Sequence, residues 1–139
     1  KHYEQALTKI LHDMQIGLEA YLHKPLGVLS GGQRQLVAMV MAVISKPKLL
    51  LLDEHTSALD PHMQKKLMVY TQKAIVAQNM TAVMITHQLQ DALDYGNKLL
   101  VMCDGRLTHC LTYAQKKQLD LAQLLTMLYT QPISIEEQQ

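Results

Sequence analysis

The stretch from Leu49 to Asp60, reading LLLLDEHTSALD, constrains the fold of this chain more than any other segment. Four consecutive leucines are typical of a strand buried on both faces, as in a parallel sheet covered by helices. Two carboxylates, Asp53 and Glu54, follow at the point where that strand should end. In open α/β sheets, ligands bind beyond the carboxyl ends of the strands, so both acids are predicted to lie at a ligand site.

Asp53 and Glu54 are expected to have different tasks. Adjacent positions on an extended backbone point to opposite faces, so one acid could hold a metal ion while the other acts on water. A simpler alternative is that both acids are solvated at the start of a loop. The residues that follow, Thr56 to Pro61, favour the functional alternative.

A second feature is the turn Ser30-Gly31-Gly32-Gln33, which precedes the apolar run from Leu36 to Ile44. Ser30 is expected to cap a helix here, leaving backbone N–H groups of the first turn with the positive end of the helix dipole behind them. Such a helix start binds anions. The alternative is a flexible capped turn, which the apolar run disfavours because it fixes the helix in the core.

Apolar periodicity and turn residues predict the remaining elements. Asp60 and Pro61 are expected to be the cap and the first residue of a helix. His87 follows a short apolar strand that should lie beside the acid-bearing strand, although a lone histidine at a strand end is more often a hydrogen-bonded loop residue. The expected elements are helices over 3–22, 61–77 and 88–95, a strand over 81–86, a hairpin over 98–103 and 106–111, a helix from Thr112 with a leucine face, and a polar tail from Gln131.

The motifs, taken in their order, resemble those of the ATP-binding cassette (ABC) ATPases. LLLLDEHTSALD resembles the Walker B strand, catalytic acid and D-loop of that family, Leu29 to Gln33 matches its LSGGQ signature, and Thr86-His87 resembles its switch histidine. The resemblance covers Lys1 to about Leu111. His55 stands where the family norm has proline, and this DEHT variant is similar to an importer-type subgroup.

The resemblance implies an α/β fold, a partial P-loop NTPase domain with a mostly parallel sheet covered by helices and part of the helical signature subdomain. It divides the chain into residues 1–45 with the signature helix, 46–111 with the second half of the nucleotide-binding core, and 112–139 with the last helix and tail. No glycine in the chain is followed by lysine, so the motif G-x-x-x-x-G-K-[ST] is not in this sequence. The chain is therefore expected to be the C-terminal portion of an ATPase subunit.

The resemblance also implies a role for each site residue. Asp53 would hold Mg²⁺ through water, Glu54 would polarise the attacking water, and His87 would contact the γ-phosphate of ATP. Asp60 would make a D-loop contact. The residues that would bind ATP held by a second ATP-binding subunit, in a head-to-tail dimer, are Ser30, Gly31, Gly32 and Gln33.

Charge and composition limit the classes of partner. A formal charge of +1, with acids and bases scattered, gives no broad basic face for nucleic acid. No apolar run reaches the roughly 18 residues that span a bilayer, so any link to the membrane is expected to run through a partner. The resemblance implies that this partner is an integral permease, at the inner face of the cell membrane. Two alternatives stay open: a non-hydrolysing remnant that binds a partner through the last helix, and a chromosome- or repair-type ATPase, which the lack of charged heptad runs disfavours.

Overall fold

A computed structural model describes residues 2–129 of the chain. The chain forms two compact units, Lys1–Ile85 and Thr86–Gln139. The three-part division at residues 45 and 111 stays a prediction. The predicted tail from Gln131 onward lies outside the described residues.

The first unit is mainly helical around a pair of strands, and the second is a hairpin with short helices. The first contains α1 (His2–Asp13), 3-10 turns at Leu18–Tyr21 and Leu26–Val28, α2 (Gly31–Ile44), β1 (Leu49–Asp53), α3 (Pro61–Ala77) and β2 (Thr81–Ile85). The second contains α4 (Leu89–Asp94), β3 (Lys98–Cys103), β4 (Arg106–Thr112), α5 (Tyr113–Lys116) and α6 (Leu121–Tyr129).

The strands β1 and β2 pair in parallel, as the sequence predicts. Leu49 lies opposite Thr81, and Asp53 lies opposite Ile85 at the carboxyl end of the pair. The pairing extends one step further, because the N–H of Glu54 donates to the carbonyl oxygen of Ile85 at 3.0 Å. The two strands therefore end at the same edge.

The prediction that β1 is buried on both faces is wrong for the residues that the structure describes. Leu50 and Leu52 are buried in a core shared with α1, α2 and α3, whereas Leu49 and Leu51 are 52% and 69% exposed. The helices of the first unit cover one face of the strand pair. A run of leucines predicts that a strand packs against apolar residues. It does not predict whether helices cover one face of that strand or both.

The first helix is shorter than its apolar periodicity predicts, because α1 ends at Asp13 and not near Leu22. Gln15 and Gly17 have positive φ angles of 53° and 71°, which an α-helix of L-residues does not accommodate. Leu18, in the following 3-10 turn, is nevertheless buried in the same core. The apolar periodicity therefore predicts correctly that Leu18 is buried, although it does not predict where α1 ends.

In the second unit, the predicted hairpin is confirmed, but the prediction of a single helix from Thr112 is wrong. Asp104 and Gly105 take the positive φ angles of 49° and 74° that a two-residue hairpin turn requires. The helix from Thr112 is two helices, α5 and α6, separated where Asp120 accepts from the N–H of Gln123 at 2.7 Å and so caps α6. Leu124 of α6 is buried beside β3, so part of the leucine face covers the hairpin.

Candidate functional site

The predicted cap at the start of α2 is confirmed in detail. The hydroxyl of Ser30 accepts from the N–H of Gln33 at 3.2 Å, and the side-chain oxygen of Gln33 accepts from the N–H of Ser30 at 2.9 Å. This reciprocal pair is a capping box. It leaves the N–H groups of Gly31 and Gly32, which have no carbonyl one turn earlier in the helix to receive them.

Positive charge lies beside this helix start. Arg34 donates from one guanidinium nitrogen to the carbonyl oxygen of Leu29 at 2.6 Å. Its other terminal nitrogen would lie 4.0 Å from a Cβ placed on Gly31, a position that is exposed. Sequence reasoning missed Arg34, although it directly follows the signature motif. The guanidinium adds to the helix dipole, so the turn suits an anion.

Gly32 has a packing role that the sequence did not show. It is buried, and a Cβ at this position would collide with the carbonyl oxygen of Ala58 and lie 3.3 Å from the side chain of Leu59. Only glycine permits so close an approach of the two backbones. The start of α2 therefore lies directly against the segment that follows β1.

That segment, residues 54–60, is called the acid turn below. Glu54 begins it with a positive φ of 42°, which is uncommon for a residue with a Cβ. The N–H of Ser57 donates to the carbonyl oxygen of Glu54 at 3.0 Å, while His55 and Thr56 are buried beneath the turn. Because Glu54 is not on an extended backbone, the argument that strand alternation separates it from Asp53 does not apply; both acids are exposed.

Two side chains fix the ends of the acid turn. The side-chain nitrogen of Gln35, on α2, donates to the carbonyl oxygen of Glu54 at 3.4 Å. Asp60 accepts from the N–H groups of His62 and Met63 at 3.0 and 3.1 Å, which confirms it as the cap of α3. Sequence reasoning missed Gln35 because its partner is 19 residues away; the contact of Asp60 as a D-loop residue stays a prediction.

His87 is an exposed residue of the second unit, two residues past the end of β2. Beside it, the hydroxyl of Thr86 accepts from the N–H of Gln88 at 3.0 Å and so organises the entry to α4. The predicted role of His87 towards a phosphate stays a prediction. Among residues 2–129, no group of three or more His, Cys, Asp or Glu side chains could hold a metal ion.

The first unit combines a parallel strand pair that ends in two exposed acids with a capped, glycine-containing helix start that touches the acid turn. This arrangement is typical of α/β proteins, in which ligands commonly bind beyond the carboxyl ends of the strands. The family described as "ABC transporter" matches residues 2–57. The chain belongs to the ABC ATPase family.

Similar proteins support this assignment. The chain is 35% identical over 125 residues to a tyrosine transport ATP-binding protein of Clostridioides difficile, covering 90% of this chain and 50% of that protein. It is 36% identical over 114 residues to a spermidine/putrescine import ATP-binding protein of Spiroplasma citri, covering 81% of this chain and 33% of that protein. A thiamine import ATP-binding protein of Escherichia coli is 36% identical over 93 residues, covering 67% of this chain and 40% of that protein.

Solved structures agree on the fold. A structure of an inward-facing conformation of an ABC transporter superposes with a TM-score of 0.67 at 32% identity, covering 90% of this chain and 47% of that chain. A structure of the ADP conformation of an ATP-binding cassette of an ABC transporter superposes with a TM-score of 0.64 at 25% identity, covering 84% of this chain and 45% of that chain. The chain spans between a third and a half of the length of the curated relatives named above.

Proposed function

We propose that this chain is part of the ATP-binding and ATP-hydrolysing subunit of an ABC transporter, which couples hydrolysis to solute transport. The observation that carries the proposal is the close approach of Gly32 to Ala58, because it joins the anion-binding helix start to the turn that begins with Glu54. The names of the relatives, which include spermidine/putrescine and thiamine import proteins, favour the importer type.

Mg²⁺, when bound, would neutralise negative charge on the phosphates. Asp53 is the residue proposed to hold it through water, because its exposed carboxylate lies at the end of β1. Mg²⁺ is typically bound by one or two carboxylates together with water and substrate phosphates, so a single acid at this position fits the ion.

Glu54 is proposed to orient and polarise the water that attacks the γ-phosphate, and His87 to contact that phosphate. A carboxylate suits the first task because it accepts a hydrogen bond, and then the proton, from water, which makes the water oxygen a better nucleophile towards phosphorus. The exposed position of Glu54, on a backbone held by β2 and by α2, supports this role. A histidine can donate to a phosphate oxygen from either ring nitrogen.

The helix start of Ser30, Gly31, Gly32 and Gln33 is proposed to bind the phosphates of ATP held by a second ATP-binding subunit in a head-to-tail dimer. Gly31 and the adjacent Arg34 supply an exposed N–H and a positive charge. In the observed state Gln33 supports the turn through the capping box, so its role in this binding would include orienting Ser30. Asp60 is proposed to contribute to the same interface from the acid turn.

The other partner proposed is an integral membrane permease, with no role for nucleic acid. Within residues 2–129, the helices are too short or too polar to cross a membrane. By similarity to the import proteins among the relatives, the proposed location is the cytoplasmic side of the cell membrane, peripheral through the permease. The import proteins among the relatives support this partner.

The test is to exchange Glu54 for Gln in a chain supplied with a P-loop segment by fusion or in trans. Glu54→Gln keeps size and polarity but cannot polarise water. We expect ATP binding to persist while turnover falls about 10² to 10⁴-fold, as for a lost general base. Glu4→Gln, at an exposed acid of α1, is the charge-matched control and should keep turnover near wild type. Hydrolysis near wild type in Glu54→Gln would remove the catalytic assignment.

Three further variants in the same protein distinguish the remaining roles. Asp53→Asn should weaken magnesium-dependent ATP binding itself, because a carboxylate that orders metal-bound water helps to hold the ion. His87→Ala should resemble Glu54→Gln. Ser30→Arg should prevent dimer formation by filling the anion site, which size-exclusion chromatography with ATP measures. Unchanged ATP affinity in Asp53→Asn would contradict its role as a metal-site residue.

A further inference from the structure

The helix α2 contacts the acid turn at two points that lie on one helix face. Gly32 packs against the carbonyl group of Ala58, and Gln35, three residues later, donates to the carbonyl oxygen of Glu54. Residues three apart in a helix share a face, so both contacts are made by the same side of α2. The first contact is near the end of the acid turn, and the second is at its beginning.

The other polar side chains of this helix turn are engaged elsewhere. Gln33 is bonded to Ser30 in the capping box, and Arg34 donates to the carbonyl oxygen of Leu29. Within the described residues, Gln35 is the member of this polar run whose hydrogen bond reaches the acid turn. The side chain of Gln35 is partly buried, while Glu54, which accepts the bond, is exposed.

The backbone of Glu54 is the part of the turn that needs such support. Its φ of 42° is a left-handed conformation, which persists in a residue with a Cβ only when the surrounding structure determines it. The N–H of Glu54 is held by Ile85, and its carbonyl oxygen receives the N–H of Ser57 and the side chain of Gln35. Those two bonds to the carbonyl fix its direction, and with it the direction in which the carboxylate leaves the backbone.

We propose that Gln35 is a positioning residue for Glu54. It holds the carbonyl group of the acid from α2, the same helix whose start carries the anion-binding turn. A displacement of α2 caused by a phosphate at Gly31 would therefore reach the backbone of Glu54 through one side chain. The inference rests on the proposed function for its catalytic consequence, because that function assigns the attacking water to Glu54.

The first experiment measures how the hydrogen bond from Gln35 to Glu54 affects the acid turn, in the 139-residue chain itself and without nucleotide. Gln35→Leu keeps the size of the side chain but removes the donor. Hydrogen–deuterium exchange by mass spectrometry on peptides covering residues 54–60 should become about three- to tenfold faster, the range expected for one lost hydrogen bond. Gln72→Leu, at an exposed glutamine of α3, is the matched control and should leave this exchange unchanged.

Unchanged exchange at 54–60 in Gln35→Leu, with the amides of α2 still protected, would overturn the proposal. If Gln35→Leu loses the protection of α2, Gln35→Asn decides the question. This variant keeps the amide but shortens the side chain by one methylene, so its donor falls short of Glu54. Gln35→Asn should also make exchange at residues 54–60 faster. Exchange at residues 54–60 equal to that of the wild type in this variant would overturn the proposal.

The second experiment measures the catalytic consequence in the chain supplied with a P-loop segment. Gln35→Leu should lower kcat about three- to tenfold and leave KM for ATP within about twofold, because the group acts on the acid and not on the nucleotide. Added to Glu54→Gln, it should cause no further loss, since the residue it positions is already disabled. An equal loss in both backgrounds would show that Gln35 acts independently of Glu54.

The two experiments separate this inference from the proposed function. If Glu54→Gln leaves hydrolysis near wild type, the catalytic assignment fails, while the exchange result still shows whether Gln35 holds the acid turn. If exchange is unaffected but Glu54→Gln abolishes turnover, the proposed function stands and the role of Gln35 is rejected.

Discussion

At the scale of single residues, the two glycines of the signature turn have different environments. Gly31 is exposed, with only the end of the Arg34 side chain near the position of a Cβ, whereas a Cβ on Gly32 meets the backbone of Ala58. The sequence alone does not distinguish the two glycines. The difference arises because Ala58 of the acid turn, 26 residues after Gly32, packs against Gly32, and no local sequence pattern predicts this contact.

This difference predicts opposite effects of one substitution. Gly32→Ala should destabilise the first unit by about 1–3 kcal/mol, because the backbone of Ala58 cannot yield as a side chain does. Gly31→Ala should be neutral or stabilising by about 0.5–1 kcal/mol, since alanine is favoured over glycine in a helix. Urea unfolding followed by circular dichroism measures both. Equal stability of the two variants would contradict the observed packing.

At the scale of elements, the strands were predictable and the helix ends were less so. Apolar runs of four residues followed by polar residues identify β1 and β2, and Asp104-Gly105 identifies the hairpin turn, because both signals are local. The end of α1 at Asp13 was missed because the apolar spacing continues into a 3-10 turn that packs in the same core. The contact between Gln35 and Glu54 depends on how α2 lies on the sheet, which periodicity does not specify.

The exposed face of the parallel strand pair predicts association of the chain. Leu51 and Val83 are directly opposite each other in register and are exposed, as are Leu49 and Ile85 beside them. Apolar surface of this kind on a short sheet favours self-association, because contact removes it from water. We expect oligomers by light scattering. The double variant Leu51→Thr, Val83→Thr should shift the chain towards monomer without unfolding it, since both side chains are outside the core.

The control for this prediction is Val76→Thr, which removes an exposed valine from α3. It should leave the oligomer distribution unchanged. A wild-type chain that is monomeric by light scattering would contradict the prediction, as would equal effects of the sheet and helix variants.

The second unit contains a buried lysine that joins α5 to the end of α4. Lys116 is 2% exposed, and its ammonium group donates to the carbonyl oxygens of Tyr95 and Gly96. Burial lowers the pKa of Lys116, with a further contribution from Lys117 in the same direction and an opposing one from Asp94.

A pH dependence of stability follows from the lowered pKa of Lys116. Between its pKa in the folded state and about 10.5, the unfolded chain binds more protons than the folded chain at this site. The stability contribution of Lys116 should therefore rise with pH across that window and be constant below it. Lys116→Met should remove the rise, as the difference between wild-type and variant unfolding free energies from pH 8 to 11 measures. A difference that falls with pH would contradict the assigned direction.

At the scale of the whole molecule, the described chain carries the residues of one side of the proposed nucleotide site. The first unit has its own core, in which Leu11, Leu36 and Leu67 are fully buried, and the second has a core around Leu99, Val101 and Leu124. The acids Asp53 and Glu54 and the residue Gly31 at the start of α2 are exposed residues of the first unit. Under the proposed function, these groups would offer a nucleotide a metal-site carboxylate, an acid for the attacking water and a limited set of phosphate donors.

The last prediction is that this chain alone neither binds ATP tightly nor hydrolyses it. ATP carries about four negative charges near pH 7, and phosphoryl transfer requires them to be cradled and neutralised. The start of α2 offers Gly31 and Arg34, and Asp53 and Glu54 add negative charge to the same unit. Titration with labelled ATP and magnesium should therefore show no micromolar binding, and supplying a P-loop segment in trans should restore it. Micromolar affinity or steady phosphate release by the chain alone would show that its own residues already complete a phosphate site.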